Sequence, residues 1–122
     1  MLQEFPRAAI TALIVWLRMR DGDNETSAGR AIAASPELRA INFYDPERIS
    51  GRAVAAVLGA RPDSIAWDAY LVYGPGVRWE AGPPAPDDWV HQLQGSRWTD
   101  PARHRTGEAL LRALRAAVEA AA

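Results

Sequence analysis

The spacing of apolar residues predicts helices near both ends of this chain. Residues 4–20 are apolar nearly all round, which favours a buried helix and leaves a buried strand open. In the C-terminal segment, Leu110, Leu111, Leu114 and Val118 recur at helical spacing with polar residues between them. This pattern predicts a C-terminal amphipathic helix with one buried face.

Local start and stop signals predict three more helices. Asn24 can cap a short helix that runs to about Ala34. The Asp-Pro-Glu run at 45–47 is typical of a helix start, and Gly59 suits the end of that helix. A further short helix is predicted over residues 87–95.

Two segments are predicted to be strands. Residues 41–44 form a short aromatic run. A β-hairpin is predicted near 65–80, where β-branched and aromatic residues are followed by a Gly-Pro-Gly turn at 74–76. The prediction is a small α+β fold, a single globular domain over 1–122, with helices flanking a short sheet.

Composition narrows the classes of function. The chain has 122 residues, of which 48% are hydrophobic and 24% charged, as in globular proteins. It lacks cysteine and lysine, which excludes disulfides, thiolate metal sites, thiol nucleophiles and lysine Schiff bases. A net charge of −1 makes nucleic acid an unlikely partner and does not favour an anionic membrane. The apolar run at 8–17 is too short to span a bilayer, so a soluble cytoplasmic protein is expected.

The tryptophan-rich segment, residues 65–98, is the main candidate binding region. It mixes large rings with polar contacts suited to recognition. The predicted binding residues are Trp67, Trp79, Trp89, His91, Gln92, Arg97 and Trp98. They predict a non-enzymatic module for a protein or small-molecule ligand, without a cofactor. The alternative is that these rings only fill the core.

A metal site is a less favoured interpretation. Asp87 with His91, and Asp100 with His104, are both i,i+4 pairs near predicted helix starts. If the pairs converged, they could hold a divalent metal and support a metal-dependent hydrolase based on His91 and His104. Against this, both aspartates suit helix caps, whose oxygens accept from backbone amides.

A helix-turn-helix regulator over residues 46–73 is the other alternative. Ala55, Gly59 and Ile65 have the spacing of that motif. However, Asp63 and Asp68 would lie on the helix that reads DNA, where acidic groups repel phosphate. The chain is also compatible with a homodimer formed through its last helix.

Overall fold

The computed structural model describes residues 10–19, 24–34, 39–96 and 98–121. Its elements are, in chain order, β1 (Ala12–Leu17), α1 (Glu25–Ala34), β2 (Ala40–Asp45), α2 (Ile49–Val57), β3 (Ala69–Val72), β4 (Asp88–His91), a single-turn 3₁₀ helix (Pro101–Arg103) and α3 (Gly107–Ala121). This mixture confirms the predicted α+β class and the C-terminal helix. The chain divides into two compact units, the first ending at Ser50 and the second beginning at Gly51. The single domain over 1–122 stays a prediction.

The first unit is a strand-helix-strand arrangement. β1 and β2 pair in parallel, with Ala12 opposite Ala40, and α1 connects them. Asn24 caps α1 as predicted, because its Oδ1 accepts from the backbone N–H of Ser27 at 2.8 Å. The Ser27 hydroxyl in turn accepts from the Asn24 N–H at 2.8 Å.

The helix favoured for residues 4–20 is wrong where the structure describes it. Residues 12–17 form β1 instead, and residues 4–9 and 20 lie outside the described residues. A strand of a parallel sheet often reads as a continuous apolar run, so periodicity cannot distinguish it from a buried helix. One face of this sheet carries exposed apolar side chains, from Leu13, Val15, Ile41 and Phe43.

The helix predicted from the Asp-Pro-Glu run begins later than expected. Asp45 is the last residue of β2, and Arg48 adopts a positive φ of 60° before α2 begins at Ile49. The Asp45 carboxylate nevertheless reaches the helix start, accepting from the Ser50 amide at 2.7 Å and its hydroxyl at 2.5 Å. The predicted stop at Gly59 is confirmed, since this glycine has a φ of 80° just after α2.

The second unit is built around an antiparallel strand pair. β3 pairs with β4, with Ala69 opposite His91 and Val72 opposite Asp88. β3 lies within the predicted hairpin, but its partner is residues 88–91 rather than 77–80. The chain does turn at 75–76, but the predicted strand pairing across that turn is wrong. The helix predicted over 87–95 is also wrong, because residues 88–91 form β4.

Two small cores lie against opposite faces of this strand pair, because successive strand residues point to opposite sides. On one face, Val90 packs with Leu110 and Leu114 of α3. Near the other face, Trp98 packs with Ala55 of α2 and Ala66, and Trp89 of β4 packs against this cluster. In α3, Leu110 and Leu114 are buried as predicted, whereas Leu111 is 37% exposed. No helix in the described part of the chain is long and apolar enough to cross a membrane.

Candidate functional site

An open, shallow pocket of about 300 Å³ lies in the second unit. Two segments form it, one immediately before β3 and one shortly after β4. The lining residues are Asp63, Ser64, Ile65, Trp67, Gly95, Ser96 and Trp98. The pocket thus combines two indole rings and an isoleucine with two hydroxyls and a carboxylate.

Two of the lining residues carry buried polar atoms without a hydrogen-bond partner. These atoms are the Ser64 hydroxyl oxygen and the Trp98 indole nitrogen Nε1. Both residues are only 5% exposed. An indole N–H can only donate, whereas a hydroxyl can donate and accept. Leaving such a group unpaired costs about 1–3 kcal/mol, so two at one pocket call for a physical explanation.

Backbone hydrogen bonds hold the first lining segment in place. Asp63 and Asp68 adopt positive φ values of 65° and 52°, a conformation that aspartate tolerates better than most residues. Between them, the Ala66 N–H donates to the Gly51 carbonyl at 3.0 Å. At the far end, the Asp68 carbonyl accepts from the Gln92 N–H at 3.1 Å. These bonds fix the position of Ser64 although the segment is neither a helix nor a strand.

A cluster of rings adjoins the pocket residue Trp98. The ring of His91 is completely buried and lies 5.3 Å from the Trp98 ring in an edge-to-face arrangement. Trp89 lies 6.3 Å from Trp98, and the Arg103 guanidinium stacks over Trp89 at 4.8 Å. His91 and Trp89 thus support the pocket wall, and neither lines the pocket.

The other predicted binding residues lie elsewhere. Trp79 is 43% exposed and packs edge-to-face on Tyr73 at 6.0 Å. The Gln92 side chain donates to the Tyr70 hydroxyl at 2.6 Å. Burial and the charge of Asp68 raise the pKa of Tyr70 above its ordinary value, although the bond from Gln92 lowers it. Arg97 lies outside the described residues.

The two histidines of the metal hypothesis lie close together, but the Nε2 atom of each ring is hydrogen-bonded to a backbone carbonyl. The rings of His91 and His104 are 5.7 Å apart. His91 Nε2 lies 2.8 Å from the Asp100 carbonyl, and His104 Nε2 lies 3.3 Å from the Gln92 carbonyl. Since a carbonyl can only accept, both Nε2 atoms carry hydrogen.

The two aspartates of the metal hypothesis are engaged with backbone amides. Asp87 accepts from the Gly74 N–H at 2.5 Å, and Asp100 caps the 3₁₀ helix through Ala102. The helical spacing assumed for Asp87 and His91 is also wrong, because residues 88–91 are a strand. Asp100 and His104 flank only a single 3₁₀ turn, and the backbone of His104 is extended. Among the described residues, no three ligating side chains form a group that could hold a metal ion.

The second helix required by the helix-turn-helix prediction is not formed. α2 is followed by irregular backbone at residues 60–68 and then by β3. Ile65, expected on that second helix, is half-buried at the pocket instead. A helix-turn-helix over 46–73 is therefore wrong as a structure.

Trp67 and Trp98 were predicted from the sequence as binding residues, whereas the other lining residues, Asp63, Ser64, Ile65, Gly95 and Ser96, were not. A Pro-Asp-Ser run indicates a turn, and nothing in its spacing distinguishes a structural turn from one that lines a pocket. Comparison of the chain with protein-family models, curated proteins and solved structures finds no match. The geometry of the pocket is thus the basis for assigning a function.

Proposed function

We propose that the second unit is a non-enzymatic module that binds a small organic ligand in the pocket lined by Ser64, Trp67 and Trp98. One observation carries this proposal: two polar atoms that are buried and unpaired belong to residues of the same pocket. Natural structures keep few such atoms, and each one calls for an explanation, of which a bound molecule that supplies the missing partner is one.

The chemistry of the pocket favours a ligand with an apolar body and an acceptor oxygen. The acceptor would take a hydrogen bond from Trp98 Nε1–H and a second from the Ser64 hydroxyl. The body would pack against Trp67 and Ile65, which are both partly exposed. A volume of about 300 Å³ is at the small end of ligand pockets, which favours a small molecule over a protein surface.

Benzamide is a suitable first probe because it joins an aromatic ring to a carbonyl acceptor. Titration would be followed by two-dimensional ¹H–¹⁵N NMR, in which each indole N–H gives its own signal. We expect the Trp98 indole signal to shift as its N–H acquires an acceptor. The Ser64→Ala variant should bind benzamide more weakly, because it removes the second donor.

Trp79→Phe is the matched control, because Trp79 does not line the pocket. This variant should bind benzamide as the natural chain does. A titration to the solubility limit of benzamide that leaves the Trp98 signal unmoved would refute the proposal. So would shifts confined to Trp79. The cytoplasmic location and the homodimer expected from the sequence stay predictions.

A further inference from the structure

We infer that the ligand of this pocket is a small amine that also carries a carbonyl, so that it presents both an ammonium group and an acceptor oxygen. The inference rests on the proposed function and adds the charge of the ligand to it. The observation behind it is the placement of Asp63, an exposed residue that lines the pocket with Ser64 and Trp98.

Asp63 is the only charged residue among the described residues that line the pocket. Within the described part of the chain, its carboxylate has no ion-pair partner. Arg61 is exposed two positions earlier but does not line the pocket. The one charge that the described lining residues contribute is therefore negative, which repels a carboxylate and attracts an ammonium group.

The ring of Trp67 offers a second favourable contact for a cation. Trp67 is half-buried and lines the same pocket. No ring or guanidinium from the described residues stacks on it, in contrast to Trp89, which holds Arg103 at 4.8 Å. Indole faces attract cations through the ring quadrupole, so an ammonium group near Trp67 would gain from both the ring and Asp63.

The buried donors show why a simple cation is insufficient. Trp98 Nε1–H cannot bind a positive group, because an indole N–H has no acceptor capacity. The ligand must therefore present an oxygen to Trp98 Nε1–H and its positive charge to Asp63. Amino acid amides combine the two groups in this way, because they keep a free ammonium group and carry an amide carbonyl.

Three probes with one common ring test the inference. Benzamide is neutral, 4-(aminomethyl)benzamide is cationic and 4-carbamoylbenzoate is anionic at neutral pH, and all three keep the amide carbonyl. Affinities would be measured by NMR titration at low salt, where screening is weak. We expect the cation to bind about 3- to 10-fold more tightly than benzamide, and the anion more weakly.

Asp63→Asn is the decisive variant, because asparagine also tolerates the positive φ at this position. It should abolish the preference for the cation, so that the cationic probe no longer binds more tightly than benzamide. Asp68→Asn is the control, since Asp68 has the same backbone conformation but does not line the pocket. This control should retain the preference.

The outcomes separate this inference from the proposed function. If benzamide binds but the three probes have equal affinity, or the anion binds most tightly, only the charge inference is overturned. A preference for the cation that survives in Asp63→Asn overturns it as well. If none of the probes binds, the proposed function fails and the charge inference fails with it.

Discussion

Ser64→Ala is expected to make the protein more stable while weakening ligand binding. The substitution removes one oxygen from a side chain that is 5% exposed and whose hydroxyl has no hydrogen-bond partner. The backbone bond from the Ser64 N–H to the Arg61 carbonyl, at 3.2 Å, does not depend on the side chain. The change in stability therefore reports on the unpaired hydroxyl alone.

The expected magnitude follows from two opposing terms. Relieving the desolvation of an unpaired buried hydroxyl gains about 1–3 kcal/mol. The small void left by one oxygen offsets part of this gain. Its cost is a fraction of the roughly 2–5 kcal/mol that truncating a buried leucine to alanine costs. We expect the free energy of unfolding to rise by about 1 kcal/mol.

Urea denaturation followed by tryptophan fluorescence is the appropriate assay, because four of the five tryptophans lie in the second unit. Thr99→Val is the matched control, because it removes a hydroxyl that does donate, to the Ser96 carbonyl at 2.7 Å. It should lower the free energy of unfolding by about 0.5–1.5 kcal/mol. A similar loss in Ser64→Ala would refute the reasoning, since it would mean that the Ser64 hydroxyl is satisfied.

Three further predictions concern packing, backbone conformation and pH. Leu114→Ala should cost about 2–5 kcal/mol in urea denaturation, since Leu114 is 4% exposed, whereas Leu111→Ala on the same helix should cost less than half as much; equal losses would contradict this. Gly59→Ala should lower thermal stability because the φ of Gly59 is 80°, whereas Gly29→Ala inside α1 should raise it. A Cβ atom meets open space at both positions, so a change of melting temperature in the same direction for both variants would contradict the reasoning. Burial raises the pKa of Asp45, but bonds from the side chain and backbone at the start of α2 outweigh it and lower the pKa below 3.8. The resulting stabilisation is complete above pH 3.8 and is lost as pH falls through the lowered pKa. Asp45→Asn should therefore reduce the loss of stability at acid pH, and an unchanged loss would contradict the role given to Asp45.

The sequence alone determined the features that depend on residues close together in the chain. Asn24 caps α1 through Ser27, only three residues away. Gly59 ends α2 because a positive φ is tolerated there. The apolar face of α3 was readable because helical periodicity places Leu110 and Leu114 on one side. In each case the interacting groups are separated by at most one or two turns of helix, so their spacing is visible in the sequence.

Tertiary structure decided the strands and the pocket, because their partners are distant in the chain. Residues 12–17 become a strand only by pairing with β2, and β3 finds its partner at 88–91 instead of across the nearby turn. Likewise, whether the Ser64 hydroxyl is paired depends on the residues around it, and Trp98 completes the pocket that Ser64 lines from another segment. Strand pairing and hydrogen-bond satisfaction are properties of non-local neighbours, which a linear pattern of residue types does not specify.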